Sequence, residues 1–198
     1  MASYRGDWKM SAVQDGRSFQ VTVGALTTPI LGGGAGTIID LDQPEFALAI
    51  PSGTTVLPVR VHVQCEPPLI AADNDIEEII IAVDKDVAIA GGTATAETPL
   101  NISTGHGNAS LGTAKSAYTA NSTAEPTEDM ELARAQIVGD VQGVAANALY
   151  HKLDLLYEPE FIPLIKGPAT LLVYWGGVVA MSGFAQIQWV EYPSGHFG

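Results

Sequence analysis

Chemistry in a protein starts with side chains that can donate protons, bind metals or attack carbon. This chain offers few. Its four histidines, His62, His106, His151 and His196, are dispersed and none is paired. A cupin-type metal site wants His-x-His, a nearby Glu and a later His, and that spacing is absent. His62 and His151 fall on strand-like runs and could converge, but a lone strand histidine reads first as a structural group. Asp73, Asp75 and Glu77 alternate in an acidic stretch and have the spacing of oxygen ligands for calcium. An EF-hand loop needs Gly at its sixth position, and Glu78 stands there, so a solvated turn before a strand is the favoured reading. No Gly-x-Ser-x-Gly elbow is present. Scattered carboxylates define no glycosidase pair. The single cysteine, Cys65, sits in an alternating strand pattern and reads as a small, half-buried hydrophobe. The chemistry-bearing residues therefore point to a protein that is not an enzyme and takes no cofactor and no metal.

Short motifs add little. Arg5-Gly6-Asp7 is a three-residue match expected by chance. The sequons at Asn101, Asn108 and Asn121 arise readily in a stretch rich in Asn, Ser and Thr. Leu31 to Gly36 is Gly-rich but lacks the Lys-Ser/Thr ending of a phosphate loop, and it reads as a flexible turn. Trp8 and Met10 lie in a polar lead-in, Met1 to Gly16, and are the residues best placed to dock on a neighbour.

Composition bounds the rest. Of 198 residues, 46% are hydrophobic and 16% charged, so the chain can fill a core. Mean hydropathy is +0.19, yet no apolar run reaches the ~18 residues of a membrane span. Much apolar surface is thus expected between chains, in an oligomer. Nine basic and 22 acidic residues give a net charge of −13, a poor basis for binding nucleic acid. One cysteine permits no intrachain disulfide, and the N-terminus lacks a signal-peptide core. Synthesis in a reducing cytoplasm is expected.

The elements that must position these residues are strands. Ser18–Val23, Thr37–Leu41, Glu45–Ile50, Val56–Gln64, Ile79–Val83 and Ala148–Tyr157 alternate or run apolar for strand-like lengths. Val59, Val61 and Val63 are expected on one face, with Arg60, His62 and Gln64 on the other. Residues 88–126 read as long surface loops rich in Ala, Gly, Ser and Thr with short β-like pieces such as Leu100-Asn-Ile-Ser103, and 126–133 as a helical turn followed by a strand. The clearest pattern is near the C-terminus. Ala169–Trp175 and Phe184–Tyr192 flank a small-residue linker and read as paired closing strands. Leu171, Val173, Ile187 and Trp189 are expected in the core, with Gln186 and Gln188 facing water or a neighbour. Their partners are expected near Val56–Gln64 and Ile79–Val83. The fold class is all-β: an antiparallel sandwich of one domain, 17–198, with about eight strands behind an N-terminal arm.

Lys166-Gly-Pro, then Ala-Thr-Leu-Leu-Val-Tyr-Trp, a Gly-containing loop and Gly-Phe-Ala-Gln-Ile-Gln-Trp-Val-Glu191 resemble the closing strands of jelly-roll virion proteins of bacteriophages. Ile50-Pro-Ser-Gly-Thr-Thr-Val56 and the strand after it resemble that fold's first core strand. The resemblance covers about half the chain and includes small capsid proteins and trimeric, tumour-necrosis-factor-like decoration proteins. It implies a jelly roll and a structural role in a virion, as a decoration or outer-shell protein made in the host cytoplasm. The implied partners are copies of itself, a trimer being favoured over a dimer, and other capsid proteins, with no direct nucleic-acid or membrane contact. A lectin-like, receptor-binding sandwich is the alternative, and a cupin-like metalloenzyme a third.

Overall fold

The computed structural model describes residues 8–33, 39–66, 76–123, 126–127, 129–138, 152–177 and 181–197. A short helix, α1 (Trp8–Gln14), precedes β1 (Ser18–Val23) and β2 (Ile30–Leu31). Then come β3 (Phe46–Ile50), β4 (Thr54–Glu66), β5 (Ile76–Lys85), β6 (Gly91–Ala96), β7 (Leu100–Asn101) and β8 (Thr113–Ser122). The chain finishes with β9 (Met130–Val138), β10 (Leu153–Tyr157), β11 (Ile165–Lys166), β12 (Ala169–Gly177), β13 (Ser182–Pro193) and a 3-10 turn over Ser194–Phe197. The strands form two antiparallel sheets in a sandwich-like arrangement. One has the order β10-β4-β13-β1-β7, with β11 on β4 and β2 on β13; the other runs β6-β8-β3-β12-β5-β9.

Alternation decides which residues meet between the sheets. Val21, Val61, Ile187 and Trp189 from the first sheet join Leu48, Ile81, Leu171, Val173 and Trp175 from the second in one core. Trp189 is fully buried, so the register expected for β13 holds, with Gln186 and Gln188 on the outer face. There Arg60 Nη1 donates to Gln186 Oε1 at 2.6 Å and Gln188 Nε2 to Gln20 Oε1 at 3.4 Å. Each large apolar side chain fully buried this way contributes about 1.5–3 kcal/mol.

The two closing strands are not paired with each other. β12 lies between β3 and β5 in the second sheet, and β13 between β4 and β1 in the first. The expected neighbours are found, but the chain changes sheets between Gly177 and Ser182. β12 is buried on both faces: Leu172 and Tyr174 point away from the main core and pack with Ala47, Ile80, Ala82 and Tyr118. Ile39 and Leu41 cover this second layer. They belong to a coil segment, so the strand expected over Thr37–Leu41 is not formed at its described residues.

One irregularity redirects a whole face. The ladder between β13 and β4 passes from Gln188↔Arg60 to Trp189↔Pro58, leaving Val59 as an extra residue. A bulge of this kind reverses the alternation on either side of it. Val61 and Val63 therefore face the core as expected, whereas Val59 faces outward beside Leu57 and Val190. α1 covers that outward apolar patch and buries Ala12 completely. The described part of the expected arm is thus a docked helix. Residues 88–126 hold β6, β7 and β8, and Met130–Ala133 begins β9 and not a helical turn. β6 is a sheet edge. Gly91 (φ 72°) and Gly92 (φ 68°) take left-handed conformations there, and its pairing with β8 shifts register between Thr93 and Thr95. Among the described residues, no helix is long and apolar enough to cross a membrane.

Candidate functional site

A concave site lies where three segments converge: the turn from α1 into β1, the stretch before β8, and the end of β13. α1 closes with a Schellman arrangement. Gly16 N donates to Val13 O at 3.0 Å and Arg17 N to Ala12 O at 2.9 Å, with Gly16 at φ 66°. The Gly16 carbonyl then accepts from two side chains, Asn101 Nδ2 at 2.8 Å and Asn108 Nδ2 at 3.3 Å. A Cβ at position 16 would stand 2.6 Å from His106 Cγ, so glycine is required for packing as well as for the turn.

The other wall is fastened by Glu191. This side chain is 5% exposed and accepts from four donors. Ser110 Oγ donates at 2.5 Å, Leu111 N at 2.8 Å, Gly112 N at 3.3 Å and Trp189 Nε1 at 2.8 Å. Glu191 N also donates to Arg17 O at 2.9 Å, joining the two walls. Between them lies a cleft of about 360 Å³ whose lining includes Asp15, Arg17, Asn108, Leu111, Tyr192 and Pro193. Arg17 Nε stands 3.9 Å from Asp15 Oδ2, a loose pair with both side chains well exposed. The Arg17 guanidinium lies 5.4 Å from the Tyr192 ring centre. Tyr192 in turn stacks on His196 at 4.6 Å and meets Phe197 edge-on at 5.2 Å. Partial burial pushes the Tyr192 hydroxyl above its usual range, against the pull of the Arg17 charge.

A second buried carboxyl, Glu45, works elsewhere in the same manner. Its oxygens accept from Gly33 N at 2.8 Å and Trp175 N at 2.9 Å. β3 begins at Phe46, opposite Val173, so the Glu45 side chain takes over the pairing of β12 where the neighbouring strand ends. Burial drives its carboxyl up to about 8, although both backbone N–H groups oppose the rise.

The residues singled out by sequence are not brought together. Asp73, Asp75, His151 and Arg5-Gly6-Asp7 lie outside the described residues. Glu77 is not in a solvated turn: β5 starts at Ile76, and Glu77 is fully buried beside Gly177. Among the described residues, no three His, Cys, Asp or Glu side chains are arranged to hold a metal. Cys65 is buried, its thiol pushed up by desolvation and by the nearby Glu45 and Glu77. His62 pairs with Asp154 at 2.7 Å on the outer sheet face, where Lys152 and Gln64 also reach Asp154 at 2.9 and 3.1 Å. Partial burial would raise the Asp154 carboxyl, but these partners hold it down at about 2. Trp8 and Met10 are 40% and 57% exposed on α1. The three sequon asparagines have structural partners. Asn101 and Asn108 hold Gly16, while Asn121 bridges Asp42 at 3.0 Å and Gln43 at 2.8 Å.

One side of the sandwich is lined by partly covered core residues. β9 and β10, the edge strands of their sheets, lie against each other there. Leu132, Ala133, Ala135 and Ile137 on β9 and Leu155 on β10 reach the core but stay only half covered. Elsewhere on the surface, Leu156 is 51%, Phe161 87% and Leu164 46% exposed. Comparison with protein-family models, with curated proteins and with solved structures gave no match in any of the three.

Proposed function

We propose that this chain is a jelly-roll virion structural protein that decorates a capsid or forms its outer layer through protein–protein contacts, without catalysis. Strand order is the observation that carries this reading. Setting aside the two-residue strands and the β6–β8 hairpin, eight strands remain. Their orders are β1-β13-β4-β10 and β3-β12-β5-β9, that is, first-eighth-third-sixth and second-seventh-fourth-fifth. Such interleaving of both chain ends is what two nested Greek keys produce in a jelly roll.

The partly covered side supports self-association. The half-covered core residues of β9 and β10, together with the exposed Leu156, Phe161 and Leu164, offer apolar surface that suits burial against further copies, and three copies around an axis is the favoured arrangement. A net charge of −13 suits an outward-facing layer better than one facing a polyanionic genome. Light scattering on the eluting protein tests the association. A trimer is expected, dissociated by Phe161→Glu, whereas a stable monomer at micromolar concentration counts against the proposal. Imaging of particles carrying the protein tests the virion role itself.

A further inference from the structure

We infer that the cleft between Asp15–Arg17, Asn108–Leu111 and Tyr192–Pro193 is a binding site for a neutral saccharide. Its volume of about 360 Å³ lies within the range of small-ligand sites and leaves room for one or two sugar rings. Both walls are set in advance. Glu191 anchors one through three donors of residues 110–112, and the Gly16 carbonyl anchors the other through Asn101 and Asn108. A site already fixed in shape loses little freedom when a ligand enters.

The polar groups inside are not exhausted by one another. Arg17 and Asp15 touch through a single 3.9 Å approach, so most guanidinium donors and carboxylate acceptors remain available to a ligand. Their pairing also selects the ligand. Asp15 and Glu191 against one Arg17 leave the cleft net negative, which disfavours an anion. Arg17, held over the Tyr192 ring, disfavours a cation. A hydroxyl both donates and accepts, so neighbouring hydroxyls on a sugar ring match the carboxylate and the guanidinium together. Leu111, 64% exposed, supplies apolar contact at the rim for the ring's C–H groups. Trp175 and Trp189 take no part, since both are in the core.

Titration of the isotope-labelled full chain with methyl glucoside, methyl galactoside, methyl mannoside, methyl N-acetylglucosaminide and lactose tests this by amide NMR. A short lysine-rich peptide serves as the competing occupant. At least one saccharide is expected to shift amides confined to residues 15–19, 108–112 and 191–193. Arg17→Ala and Asp15→Asn, both at exposed side chains, are each expected to weaken that binding by about tenfold or more with the remaining spectrum unchanged. The inference is overturned if none of the saccharides shifts those amides, if both variants bind as the parent does, or if only the peptide binds. Such a failure leaves the virion proposal standing, because that rests on strand order and on the β9–β10 side.

Discussion

Replacing Glu191 by alanine removes the acceptor of four donors at once, and their surroundings set the cost. Trp189 Nε1 donates at 2.8 Å from a fully buried ring and has no route to water once the carboxyl is gone. An orphaned buried donor of this kind costs about 1–3 kcal/mol. Ser110 Oγ and the Leu111 amide lie nearer the surface and recover water in part, while the buried Gly112 amide makes the longest of the four bonds at 3.3 Å, so each of the three forfeits about 0.5–1.5 kcal/mol. The expected loss for Glu191→Ala is therefore ~3–7 kcal/mol, a large share of the ~5–15 kcal/mol that stabilises an ordinary domain. Glu191→Gln keeps one oxygen for Trp189 and Ser110 but presents an amide N–H to Leu111 N–H. Its loss is expected to be smaller, ~1–2 kcal/mol. Urea unfolding followed by tryptophan fluorescence reads both as shifts of the midpoint at constant slope. Exchange of the Leu111 and Gly112 amides should speed up in both variants. A loss under ~1 kcal/mol for alanine, or equal losses for alanine and glutamine, would refute the reasoning.

Other expectations follow from the same geometry. Glu45 is raised from 4.5 to about 8 in the folded chain, so the native state holds the extra proton across that interval. Its contribution is complete below 4.5 and is lost as pH climbs through about 8, at no more than ~1.4 kcal/mol per unit. The difference in stability between parent and Glu45→Gln should slope accordingly, and a flat difference contradicts the assignment. Asp154 behaves in the opposite sense. Held at about 2 against 3.8, its contribution is present above 3.8 and disappears as pH falls through about 2. Because the cluster is well exposed, Asp154→Asn should cost under ~1 kcal/mol at neutral pH, and less at high salt. Gly183→Ala places a Cβ 2.6 Å from Cys65 Sγ and 3.0 Å from Gln64 O. Overpacking there should cost ~1–3 kcal/mol in thermal or urea unfolding, and a neutral substitution would mean that the strands separate more easily than their packing implies.

How far the sequence reveals this molecule depends on how much apolar contrast each element carries. β13 is legible because Ala185, Ile187 and Trp189 alternate with Gln186 and Gln188, and β12 because it is apolar throughout. Nothing in either run says which sheet it joins. Both read as strands, and adjacency in sequence makes them look paired when the linker in fact carries the chain from one sheet to the other. β6 and β8 are built from Thr, Ala, Gly and Ser, whose small side chains leave no hydrophobic period to read. α1 is one short helix that buries a single alanine, so it leaves almost no amphipathic trace. The Val59 bulge is hidden within a perfect valine alternation, and only the register of the facing strand exposes it. Glu45 and Glu191 were the most informative misses. Each is a carboxylate next to a strongly apolar strand run, a position where solvent exposure is the ordinary expectation. A buried acceptor for backbone or indole donors becomes visible only when those donors, distant in sequence, are brought alongside.

The bulged, doubly left-handed edge at β6 has a consequence for how the protein behaves in quantity. An edge strand with regular free N–H and C=O groups invites another chain to add, and then another, without limit. Gly91 and Gly92 turn the start of β6 away from straight extension, and the register shift at Thr93 breaks the spacing a newcomer would need. Open-ended strand addition from this side is thereby discouraged at its first step. At this edge the chain resists ladder growth even where its local concentration is high.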